Sequence, residues 1–142
     1  MPEPSLRLTK IWDDVDFYEL HMEIKGNNCN VFIDIYTRNE ELEELRQGIM
    51  DFSHFNIHEF KWTSGNDIEN VTHFLSFRFF KHSKMGHIGL EIIADNKMEK
   101  PDYMRSNFFI ITELNQLDDF VKKLERLINE EIIELESIIP VH

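Results

Sequence analysis

Residues 73–93 read HFLSFRFFKHSKMGHIGLEII and place His73, His82 and His87 within fifteen positions of one another. Imidazoles so spaced suggest a metal centre or an acid–base cluster. A catalytic zinc, however, needs about three protein ligands meeting at one point. Side-chain alternation tests whether these three can meet. Leu75, Phe77 and Phe79 share one face, with Phe74, Ser76, Arg78 and Phe80 on the other; Ile88, Leu90, Ile92 and Ala94 align on the returning segment, opposite His87, Gly89, Glu91 and Ile93. A four-residue loop, Ser83 to Gly86, sets Phe79 opposite Leu90 and Phe77 opposite Ile92. It also sets Arg78 opposite Glu91, a favourable cross-strand charge pair. In that register His82 faces His87 at the hairpin mouth, while His73 points to the other face. The stretch reads as a hairpin, and no metal is expected in it.

Other candidates yield no catalytic constellation either. His54 and His58 have the i, i+4 spacing of a helical zinc pair, but no glutamate stands between them as in HExxH. They also follow the expected end of a helix and read as surface residues. His21 falls opposite Asp34 and resembles a base with its orienting carboxylate. No nucleophile is tied to that pair by sequence, so a polar cross-strand contact is the simpler reading. The glycines form no phosphate-binding loop, and GHIG lies inside a strand, where Gly89 permits close packing. No catalytic residue and no cofactor is therefore expected. Cys29 stands alone and cannot form an internal disulfide, as suits a reducing compartment.

The elements that position these residues follow from periodicity. Residues 5–12 read as a first strand. In residues 16–25, Tyr18, Leu20, Met22 and Ile24 face one way, and Phe17, Glu19, His21 and Glu23 the other. Residues 30–37 alternate again, with Val31, Ile33 and Ile35 on one side. A two-residue turn centred on Asn27 and Asn28, which tolerate positive φ, pairs Ile24 with Val31, Met22 with Ile33 and Leu20 with Ile35. The opposite face then pairs Glu23 with Phe32, His21 with Asp34 and Glu19 with Tyr36. Thr37 and Glu40 have capping-box spacing before a helix over 38–52, whose stripe is Leu42, Leu45, Ile49 and Phe52. Residues 57–63 return as a strand, ended by a turn at 64–67. From Asn115 a second amphipathic helix carries Leu117, Val121, Leu124 and Ile128 inward and runs at least to Glu134, with Asp118 and Asp119 in its first turn. The chain shows no sequence repeat. It reads as one domain over 1–142: α+β, a single antiparallel, strongly twisted sheet of six or seven strands with two helices packed on one face.

The 142 residues carry a formal net charge of −12. Such a field repels phosphates and anionic lipid, so neither nucleic acid nor a membrane is an expected partner. It favours encounter with a basic protein. The N-terminal MPEPSLRLTK lacks the apolar run of a secretory leader, so cytoplasmic residence is expected.

Three segments, DFYELHMEIKGNNCNVFIDIYT, NVTHFLSFRFFKHSKMGHIGLEIIADNK and FFIITELNQLDDFVKKL, together resemble small cytoplasmic immunity proteins of bacterial polymorphic-toxin, or contact-dependent inhibition, systems. The resemblance is to the WapI-type partners of wall-associated toxins. It spans residues 16–126 as a pattern of strands and turns. It implies that the chain binds and neutralises a toxin domain made by its own cell, expected to be a nuclease, whose basic cleft an acidic inhibitor can occupy. It brings no contact motif, so the contact surface is argued from the chain. Glu19, His21, Glu23, Phe32, Asp34, Tyr36, Arg78 and Glu91 fall on the sheet face away from the helices. Aromatics interleaved with acids there suit docking of a basic toxin domain. Two rival readings stay open. One is a small-ligand-binding or enzymatic domain with a pocket near His21 and Asp34. The other is a scaffold that dimerises through residues 131–141, whose apolar content exceeds what one helical stripe needs.

Overall fold

Alternation over 18–25 and 30–37 gives two strands whose inward residues are all buried and whose outward residues are all partly or fully exposed. In the computed structural model, which describes residues 3–14 and 16–141 except for the side chains of Trp12 and Asp13, these two strands belong to a sheet of four. Its strands are β1 (Leu6–Asp13), β2 (Tyr18–Lys25), β3 (Asn30–Thr37) and β8 (Glu134–Ser137), in the order β3-β2-β1-β8. A second antiparallel sheet has the order β4-β5-β6-β7, from β4 (Glu59–Gly65), β5 (Phe74–Lys81), β6 (His87–Asp95) and β7 (Arg105–Glu113). The expected single sheet of six or seven strands is thus corrected to two sheets and eight strands. The α+β class holds.

The split has a physical cause. Helix α1 (Asn39–Ser53) leaves the end of β3 and carries the chain about 22 Å along its axis. The chain therefore returns as β4 beside β5 rather than beside β3. Helix α2 (Leu114–Ile128) does the same after β7, and β8 pairs with β1. The topology thereby repeats, although the sequence shows no repeat. Each half runs three antiparallel strands, a 15-residue helix and one strand, and each lone strand joins the other half's three-strand unit. One core links the parts: Leu20, Met22 and Ile35 of the first sheet, Phe77, Phe79 and Leu90 of the second, and Leu45 and Phe120 of the helices are fully buried in it. Among the described residues no helix is long and apolar enough to cross a membrane.

Both hairpin registers agree with expectation. Ile24 pairs with Val31, His21 with Asp34 and Glu19 with Tyr36; Phe79 pairs with Leu90 and Arg78 with Glu91. The turn chemistry differs, because neither Asn27 nor Asn28 is among the residues with positive φ. The hydrogen bond from Gly26 N–H to Cys29 O, 2.9 Å, closes that turn.

Both helix starts are shifted. Arg38, not Thr37, is the N-cap of α1 and gives no side-chain cap; the Thr37 hydroxyl instead donates to Glu41 at 2.6 Å. The first turn of α2 holds no acid, and Asp119 binds Ser137 (2.7 Å) and Lys123 (2.9 Å) rather than the helix end. The helix also stops at Ile128, not at Glu134. Asn129 caps it, and Glu130 turns the chain through a left-handed conformation, φ +63°. Much of the apolar surplus beyond it is buried within the chain, with Leu135 and Ile138 in the core and Ile133 left 67% exposed.

Candidate functional site

Period-two alternation sends Glu19, His21 and Glu23 of β2 and Phe32, Asp34 and Tyr36 of β3 to the outer face of the first sheet. There they stand opposite one another in cross-strand pairs. His21 Nδ1 lies 2.6 Å from Asp34 Oδ1, and the His21 ring stacks on Phe32 at 6.0 Å. The carboxylate of Glu19 beside Tyr36 holds the phenol above its ordinary pKa, with burial adding to the effect. Glu23 sits between two cations, 3.9 Å from both Arg7 and Lys25, and its side chain is only 18% exposed. The carboxylates of this face are therefore largely engaged within it.

The aromatic groups are more open. Phe32 is 53% exposed and Tyr36 41%. Phe17, also 41% exposed, meets Tyr36 edge-on at 6.4 Å. Beside them a depression of about 270 Å³ is lined by His21, Phe32, Asp34 and Tyr36, and by Asn96 and Met98 from the β6–β7 loop. Met98 is 53% exposed. Hydrogen bonds fix that loop in place. Asn96 Oδ1 accepts from Met98 N–H (3.1 Å) and Met104 N–H (3.0 Å), and Asn96 Nδ2 donates to Asp102 O (2.9 Å). Asp67 binds both Lys97 (2.8 Å) and Arg105 (2.9 Å), and Arg105 also reaches the buried Asp95 at 2.9 Å. Hydrogen bonds from Arg105 and then Lys97 lower the Asp67 pKa to about 2.

Under the face lies His73. Its Nε2 is 2.8 Å from Ser64 Oγ, its Nδ1 is 3.1 Å from Thr72 Oγ1, and its ring is 6.3 Å from that of Tyr36. Burial pushes its pKa down, because desolvation disfavours the imidazolium. His73 is thus a buried histidine with both ring nitrogens hydrogen-bonded and its ring against Tyr36.

The structure does not unite all the residues expected on one surface. Arg78 and Glu91 pair at 2.8 Å, but on the outer face of the second sheet, where Arg78 also reaches Glu59 (3.3 Å) and the Phe80 ring (4.6 Å). Alternation assigned them correctly to an outward face; it could not say that the face belonged to another sheet. Alternation places Phe17 on this outward face, though not among the expected contact residues, and it gives no sign of Asn96 and Met98. The Asp95-Asn96 pair, a turn-forming combination, was the available signal for the ordered loop. His82 and His87 do face each other, with His82 N–H donating to His87 O at 2.9 Å. Among the described residues no group of three His, Cys, Asp or Glu side chains is arranged to hold a metal ion. Chemically, the His21–Asp34 pair has the geometry of an oriented base, and the surrounding surface has that of an apolar contact patch rimmed by carboxylates. The chain matches no protein-family model, no curated protein and no solved structure.

Proposed function

We propose that this protein is a cytoplasmic inhibitor that binds one basic protein domain through the outer face of the β2–β3 hairpin. By the resemblance described above, that domain is a toxin made by the same cell, expected to be a nuclease, and the protein is its immunity factor. The observation that carries this reading is the contiguous, half-exposed group of Phe17, Phe32, Tyr36 and Met98 beside Asp34 and Glu19. Monomeric surfaces seldom leave such groups of large apolar side chains together, and aromatic anchors dominate the energetics of protein interfaces. The fixed β6–β7 loop supports the reading further, because a surface already ordered loses little entropy on docking.

The test is binding kinetics against a basic toxic C-terminal domain, any such domain encoded immediately upstream being the first choice, with cell survival as the readout of protection. Phe32→Ala and Tyr36→Ala should each speed dissociation by at least about tenfold, the scale of an interface hot spot. Salt should mainly slow association. Unaltered dissociation in both variants would exclude this face, and no binding by the wild type would exclude that toxin.

A further inference from the structure

At the mouth of the β5–β6 hairpin a cleft of about 530 Å³ opens between the end of α1 and the start of α2, lined by Phe55, Lys81, His82, Lys84, Ile88 and Leu114. Its size is that of small-molecule sites, roughly 300–1,000 Å³. Two features bear on what it could hold. Lys25, Arg46, Lys97 and Arg105 are ion-paired, as the 27 acidic residues of the chain would lead one to expect. Among the described residues Lys61, Lys81, Lys84, Lys100, Lys122 and Arg126 have no carboxylate partner, and of these Lys81 and Lys84 line this one cleft together.

Phe55 is the second feature. It occupies the first position beyond the C-cap of α1, with φ +64°. Its N–H donates to Phe52 O (3.1 Å) and Asn56 N–H donates to Asp51 O (2.9 Å), the hydrogen bonds of a Schellman close. That position favours glycine, because a side chain strains a left-handed backbone. Here a phenylalanine bears the strain while the residue stays 57% exposed. The ring stands against Lys81, whose Nζ is 4.4 Å from the ring centroid.

We propose that this cleft binds a small aromatic phosphate of the nucleoside-monophosphate class, its phosphate on Lys81 and Lys84 and its base on Phe55. A small anion fits the electrostatics where a nucleic acid does not. Charges farther away than a Debye length of about 8 Å are screened, so a ligand held at the two lysines feels mainly their local field. A polynucleotide would extend over the surface that carries the net −12 and be repelled. The site is independent of the toxin-binding face, so either can fail without the other.

The test is an NMR titration of the full chain with adenosine monophosphate, inorganic phosphate and adenosine, separately. Adenosine monophosphate should shift the amides of residues 81–88 and bind at least about tenfold more tightly than adenosine, as charge-assisted hydrogen bonds to phosphate imply. Lys81→Gln with Lys84→Gln should weaken both phosphate-bearing probes by at least about tenfold. Phe55→Gly, which suits the backbone and should fold at least as well, should weaken adenosine monophosphate about tenfold and leave phosphate unchanged, the scale of one stacked base. Three outcomes would each overturn the proposal. One is no shift up to about 10 mM nucleotide, beyond the millimolar range of weak sites. Another is adenosine binding as tightly as its monophosphate. The third is nucleotide affinity indifferent to the lysines.

Discussion

Gly48 in the middle of α1 offers a test of how the helix is seated, because the sign of its substitution is decided by one neighbour. A Cβ built there would lie 2.0 Å from Phe60 Cζ and 2.1 Å from Cε1. Ordinary carbon contacts need roughly 3.5 Å, so the Phe60 ring must move by about 1.5 Å. It has little freedom, because it is stacked on Phe79 at 6.1 Å with the planes 13° apart. In an unobstructed helix, glycine to alanine stabilises by about 0.5–1 kcal/mol. Overpacking costs about 1–3 kcal/mol. Gly48→Ala should therefore destabilise by about 1–2 kcal/mol and lower the melting temperature by about 3–8 °C. With Phe60→Ala already present, the same substitution should become stabilising by about 0.5–1 kcal/mol. Urea midpoints for the four proteins of this cycle measure the coupling, expected near 2 kcal/mol. Additivity within about 0.5 kcal/mol would refute the close approach of α1 to β4.

Two further predictions concern protons. Burial lowers the His73 pKa in the fold, so the unfolded chain takes up its proton first as pH falls below about 6.5. Stability should fall from there until the folded pKa is passed, by at most about 1.4 kcal/mol per pH unit; His73→Gln should show a shallower loss between pH 7.5 and 5.5 in urea titrations, and an identical slope would contradict the burial argument. Asp67 has the opposite sign. Its carboxylate, held at about 2 against an ordinary 3.8, contributes stability that is present above the higher value and lost as pH falls through the lower one. Removing its first partner by Arg105→Gln should move the Asp67 carboxyl titration, followed by NMR, upward toward 3.8. An unmoved value would show that the bond is not made in solution.

What the sequence made legible was local. In residues 16–37 and 73–94 the apolar alternation and the loop length together leave one register that keeps both faces consistent, and those registers are the observed ones. The assembly of strands into sheets is not written in alternation, because any outward face reads alike. β8 was missed for a different reason. Ile128, Ile132 and Leu135 continue helical spacing past the true end of α2, while the turn that ends it is Glu130 at φ +63°, a conformation no glycine announces. The candidate site was half legible for the same two reasons. Phe32, Asp34 and Tyr36 follow from alternation on β3, but Asn96 and Met98 reach them only because two sheets meet at that edge.

The pairing within the face changes what its charges can do for binding. On sequence alone Glu19, Glu23 and Asp34 read as outward-facing acids, with only Asp34 set against a polar partner, His21. In the fold Glu23 already lies between Arg7 and Lys25, Asp34 holds His21, and Glu19 acts on Tyr36. A partner's cation reaching Asp34 must compete with a 2.6 Å bond, so its net gain is smaller than that of a new ion pair. The aromatic rings stay about half exposed, and covering them removes apolar surface from water at roughly 25 cal/mol per Å². On the proposed function, docking at this face would draw its affinity from Phe32, Tyr36, Phe17 and Met98. The overall −12 charge would act at longer range, in bringing the proposed basic partner to it.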